Sequence, residues 1–85
     1  MKIEIRFKRR LGPEPHVDGK QSAAASGCPD ILEMKDGDFA VIGIDITAQA
    51  VGELPSSAGC GADERIVRVP RGVLVGAKRD IPDAL

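Results

Sequence analysis

Residues 28–47, CPDILEMKDGDFAVIGIDIT, set two apolar runs on either side of one Asp-Gly pair. Asp36-Gly37 is a strong two-residue turn signal, because a type I′ turn needs positive φ at both central positions and Asp-Gly tolerates this. Folding the stretch there sets Lys35 against Asp38, Met34 against Phe39, Glu33 against Ala40 and Leu32 against Val41. Met34, Leu32, Phe39 and Val41 would then share one face, and Ala40, Ile42, Ile44 and Ile46 the other. Apolar residues on both faces predict that 39–46 is a central strand with a neighbour on each edge. Gly43 interrupts it and marks a bulge or a close packing contact.

Working outward, residues 2–8 alternate, with Ile3, Ile5 and Phe7 on one side and Lys2, Glu4, Arg6 and Lys8 on the other, which predicts a half-buried strand. Residues 10–29 are rich in Pro, Gly and small polar side chains and read as a long loop. The division expected is an N-terminal strand and loop over 1–27, a compact domain over 28–82 and a tail over 83–85. The strand over 2–8 would pair within the chain or with another one. Beyond the hairpin, Thr47 is placed to N-cap a short helix over 48–54, weakened by Gly52. ERIVRVP, 64–70, alternates as a strand that Pro70 ends. Pro70 also suits the first position of a helix over 70–79, with Val73, Leu74 and Ala77 on one face and Lys78 and Arg79 at its C-terminal end. Val73, Val75 and two glycines lower helix propensity there, so a strand stays open. The fold class expected is α+β: a small antiparallel sheet of three to four strands with one or two short helices.

The chain has 85 residues, 42% of them hydrophobic, but Phe7 and Phe39 are its only aromatics. A core of small aliphatic pieces argues against a spacious ligand cavity. Its apolar runs fall well short of the roughly 18–20 residues of a membrane span. MKIEIRFKRR does not read as a signal peptide, and a cytoplasmic protein is expected. Net charge is −1, unevenly spread. Residues 1–10 hold five bases against Glu4, residues 28–64 hold Lys35 against eight acids, and residues 65–85 hold five bases against two acids.

Three sets of residues invite a chemical reading. Asp30, Glu33, Asp36 and Asp38 resemble a calcium loop only in part: no Glu stands at the closing position and both flanks are strand-like. They read as turn and edge residues, which would discourage unwanted edge pairing. Cys28 and Cys60 lack zinc spacing and read as two ordinary thiols, with a disulfide as the alternative. His16 is the sole imidazole and sits in the loop, so a nucleophile–base pair is not expected, and SSAGCG reads as a surface loop. No catalytic, cofactor or metal residues are assigned. The best binding feature is the series Arg65, Arg68, Arg71, Lys78 and Arg79. Its guanidinium forks suit two-point pairing with carboxylates of a protein partner, or of the acidic 28–64 region of a second copy.

CPDILEMKDGDFAVIGIDIT, LPSSAGCG and ERIVRVPRGVLVGAKRDIP resemble a group of short, uncharacterised actinobacterial proteins common in Streptomyces. Their motifs are Cys-Pro, an acidic or apolar pair, Asn/Asp-Gly-Asp-Phe-Ala-Val, and Glu-Arg-(Ile/Val)-Val followed by Pro-Arg. The resemblance covers roughly residues 28–82 and implies a small cytoplasmic accessory protein without catalytic residues. More distantly, the order of elements is similar to a small domain encoded beside helix-turn-helix regulators, whose terminal Trp and Phe are absent here. The expected function is a non-catalytic interaction module that binds a protein, such as a DNA-binding regulator, or a second copy. The alternative is nucleic-acid binding through Lys2, Arg6, Lys8, Arg9, Arg10 and the 65–79 bases, which lacks stacking aromatics and an excess of positive charge.

Overall fold

A computed structural model describes residues 4–13 and 29–84. The expectations for the loop over 14–28, for His16 and for Cys28 lie outside the described residues. Strands β1 (Phe7–Arg10), β2 (Asp30–Met34) and β3 (Phe39–Ile42) form an antiparallel sheet in the order β1-β2-β3. Strands β4 (Ile44–Asp45) and β5 (Val67–Arg68) form a second, two-stranded sheet. Two short helices complete a small α+β fold: α1 (Thr47–Ala50), continued by a 3-10 turn over Val51–Glu53, and α2 (Arg71–Ala77), continued by a 3-10 turn over Lys78–Asp80.

The hairpin forms where the Asp-Gly pair predicts it, but its register is one residue away from the expected one. Glu33 pairs with Phe39, Leu32 with Ala40, Ile31 with Val41 and Asp30 with Ile42. The loop has three residues, Lys35-Asp36-Gly37. The Gly37 N–H donates to the Met34 carbonyl at 3.1 Å, Gly37 takes φ +100°, and the Met34 N–H then donates to the Asp38 carbonyl at 2.8 Å. That is a type I turn closed by a left-handed glycine, which needs one unusual φ at the glycine. Asp36 secures it, because its Oδ1 accepts the Asp38 N–H at 2.9 Å.

The shift changes which side chains share a face. Ile31, Glu33, Phe39 and Val41 lie on one face, and Leu32, Met34, Ala40 and Ile42 on the other. β1 begins later than expected, and its register slips between Phe7 and Arg9. The slip turns Phe7 toward the Met34 face while Arg9, opposite Glu33, and then Leu11 turn to the Ile31 face. Leu11, whose N–H donates to the Ile31 carbonyl at 2.8 Å, joins Ile31 and Ala77 as the buried hydrophobics, with Val73 packed against them. The N-terminal strand therefore pairs within the chain.

Helix rather than strand forms after Pro70, which stands at the N-cap position. Val73 and Ala77 face β2, one turn apart. Leu74, expected beside them, is 55% exposed, because the next residue along a helix points some 100° away. Gly76 and Gly12 let the 11–13 segment lie directly on α2: a Cβ on Gly12 would stand 3.0 Å from the Gly76 carbonyl carbon and oxygen.

The expected central strand over 39–46 is instead two strands broken at Gly43, and the central strand of the larger sheet is β2. Gly43 is a close packing contact: a Cβ there would meet the Arg68 carbonyl oxygen at 2.6 Å and Val69 Cγ1 at 2.9 Å. Apolar residues on both faces report what lies above and below a strand, and they leave its edges undetermined. The expected strand over 64–70 is ladder-paired only at Val67 and Arg68, extended by the Ile46 N–H donating to the Ile66 carbonyl at 2.9 Å. Thr47 does not N-cap α1; Ile46 holds that position without a side-chain bond. The Thr47 hydroxyl donates to Asp45 Oδ1 at 2.7 Å and accepts the Ile66 N–H at 2.8 Å, so it ties β4 to the chain entering β5.

Candidate functional site

Two carboxylates read from the sequence as rim groups are interior. Asp30 and Glu33 are each 8% exposed, because β2 is the middle strand. Burying a carboxylate demands a cationic or hydrogen-bonding partner, and β1 supplies one for each. Arg9 Nε donates to Glu33 Oε1 at 2.8 Å, and Arg10 Nε donates to Asp30 at 3.0 and 2.8 Å. Arg9 also reaches the end of α2, donating through Nη2 to the Asp80 carbonyl at 2.8 Å. Asp80 Oδ2 in turn accepts the Gly12 N–H at 2.7 Å. That bond, joined by Arg79 and Arg9 nearby, holds the Asp80 carboxyl below its ordinary range despite some desolvation. Asp36 and Asp38 do lie at the turn and are exposed. The acidic cluster is thus a set of structural ion pairs plus a turn, and among the described residues no group of three His, Cys, Asp or Glu is placed to hold a metal ion.

The series is spread out, with Arg65 in the loop before β5, Arg68 in β5, Arg71 at the start of α2, and Lys78 and Arg79 in the 3-10 turn that continues it. Arg65 stands 4.0 Å from Asp45, whose carboxyl is lowered first by the Thr47 N–H, then by the Thr47 hydroxyl and Arg65. Arg79 turns to Asp80 at 3.3 Å. Arg68, in β5 opposite Ile44, forms no ion pair with a described residue, and neither do Arg71 and Lys78. Arg71 begins α2 and Lys78 stands just past its end, about 10 Å further along the axis, with exposed Leu74 between them in sequence.

The surface feature missed from sequence is apolar. Phe39, Val41 and Ile42 of β3 are each close to half exposed, and Ile44 of β4 is 70% exposed. Reading 39–46 as a covered central strand hid them. The cue available was the absence of a second long strand pattern able to flank it. Ile42, Gly43 and Ile44 line a groove of about 220 Å³ with Pro29, Arg68 and Pro70, smaller than most small-molecule sites. A hollow of 400 Å³ between Phe39 and the 82–84 segment includes Glu33, already bound to Arg9.

No nucleophile–base pair is assembled among the described residues. Cys60 is a free, half-buried thiol that donates to the Glu64 carbonyl at 3.4 Å, with no basic side chain bonded to it. No helix among the described residues is long and apolar enough to cross a membrane. No family model, curated protein or solved structure matches the chain.

Proposed function

We propose that this protein is a small, non-catalytic interaction module of the cytoplasm, which works by binding another protein or a second copy of itself. The observation that carries this reading is the balance of its apolar surface. Among the described residues only Leu11, Ile31 and Ala77 are buried hydrophobics, while eleven large hydrophobic side chains are exposed. A surface so apolar on so small a core is the mark of an interface. Arg68 lines the groove with Ile42 and Ile44, Arg71 and Lys78 flank exposed Leu74 in sequence, and these three cations, without an ion pair among the described residues, suit an acidic partner. A DNA-binding regulator is one such partner, and kinship with the short actinobacterial proteins of similar motif belongs to the same proposal. Arg9 and Arg10 support a protein partner over nucleic acid, since their guanidinium groups are bound to Glu33 and Asp30.

Affinity capture on the immobilised chain, paired with sedimentation of the chain alone, tests this. A stoichiometric partner or a self-associated species is expected, and Ile44→Asp or Leu74→Asp reduces it. A monomer that retains nothing contradicts the reading. Salt-dependent binding to duplex DNA, lost on Arg71→Ala with Lys78→Ala, would favour the nucleic-acid alternative.

A further inference from the structure

We infer that the outward face of α2 docks an acidic amphipathic helix of another protein, which lays apolar side chains on Leu74 and Val75 while two of its carboxylates pair with Arg71 and Lys78. This deepens the interaction reading and rests on it. The turn of the helix comes first. At about 100° per residue Val73 and Ala77 point one way, and they are the pair packed at the core. Arg71, Leu74, Val75 and Lys78, spaced three and four residues apart, fall together on the opposite side. Their exposures agree: Leu74 is 55% and Val75 61% exposed, and Arg71 and Lys78 are exposed as well. Arg79, on the flank of this stripe, is already turned to Asp80. Neither Arg71 nor Lys78 forms an ion pair with a described residue.

Charge and spacing together select the occupant. Two cations stand about 10 Å apart along the axis with two aliphatic side chains between them, so the complementary surface carries two carboxylates at that separation around an apolar centre. A helix provides this with Asp or Glu two turns apart, about 10 Å, and Leu-like side chains three and four residues after the first acid. An extended strand does not, because side chains on one of its faces recur at roughly 7 and 13 Å. Helices pack with their axes about 8–10 Å apart, which the long Arg and Lys side chains span, and the Arg71 fork can hold a carboxylate at two points. Nucleic acid would engage the cations and leave Leu74 and Val75 in water, and the stripe has no aromatic ring for a base to stack on. An anionic membrane takes helices with a broad face of Trp, Phe and Leu, whereas this stripe offers one leucine and one valine.

The probe is an Ala-rich helical peptide of about 20 residues, with Glu, two adjacent Leu and a second Glu at those spacings, titrated into the isotope-labelled full chain by NMR. Saturable shifts centred on residues 71–78 are expected. Replacing both Glu of the peptide by Gln, or making Arg71→Ala with Lys78→Ala in the chain, should weaken the dissociation constant about tenfold. Arg71→Glu with Lys78→Glu should reject this peptide and bind one with Lys in place of Glu. Leu74→Asp should abolish the shifts with an unchanged circular dichroism spectrum; if it unfolds, the charge exchange decides alone. No saturable shift, shifts centred away from α2, or equal affinity for the Glu and Gln peptides overturns the inference. Tighter binding of duplex DNA, or of phosphatidylserine vesicles, through Arg71 and Lys78 also overturns it. Where the peptide fails but sedimentation or affinity capture still shows a self-associated species or a stoichiometric partner, this inference falls alone, whereas a monomer that retains nothing removes the interaction module too.

Discussion

Gly12 and Gly72 should respond in opposite directions to the same substitution. Gly12 holds φ +86°, and an added Cβ would press on the Gly76 backbone at 3.0 Å. Gly12→Ala should therefore cost about 1–2 kcal/mol or more, read as a lower urea midpoint. Gly72 sits within α2 with open space around it, so Gly72→Ala should stabilise by about 0.5–1 kcal/mol in the same assay. Asp80 gives a prediction in pH. Its folded-state pKa lies below the ordinary 3.8, chiefly because of the Gly12 N–H. A lowered carboxylate contributes stability that is whole above its unfolded pKa and is lost as the pH falls through the folded one. Asp80→Asn should thus be the less stable protein at neutral pH, with the difference closing in denaturation series as the pH falls below the ordinary carboxylate range.

The elements show which local signals carry a fold and which leave it open. The hairpin and α2 are legible from Asp36-Gly37 and from Pro70 followed by Val73 and Ala77. Register is not, because Asp-Gly serves a two-residue turn and a three-residue turn closed by Gly37 equally well, and only the Met34–Asp38 bond distinguishes them. One residue of slip moved Met34 and Leu32 to the face opposite Phe39 and Val41. The bulge near Lys8 is equally silent, since it leaves the alternation of residues 2–8 intact in sequence while sending Arg9 and Leu11 to the core face. The roles of Arg9 and Arg10 were hidden for that reason. Arg9→Met should cost about 1–3 kcal/mol in chemical denaturation, because it leaves the Glu33 carboxylate and the Asp80 carbonyl without their donor. Gly43→Ala tests the junction of the two sheets. Its Cβ would force the Arg68 carbonyl away from 2.6 Å, and a loss of about 1–3 kcal/mol is expected.

At the scale of the whole molecule, large exposed apolar side chains outnumber the buried ones among the described residues, and composition already contained the reason. A chain of 85 residues with 42% hydrophobic side chains has more apolar surface than one small core can cover. What composition left open was where that surface lies, because this depends on β3 being an edge and on the break at Gly43. The cation series was legible as residues and not as geometry: two of its members are drawn toward Asp45 and Asp80, and Arg68, Arg71 and Lys78 remain. Sedimentation velocity of the chain alone, paired with affinity capture on the immobilised chain, tests the interaction reading most directly. The account predicts a self-associated species or a stoichiometric partner, reduced by Ile44→Asp or Leu74→Asp at the exposed apolar side chains. A monomer that retains nothing would contradict it.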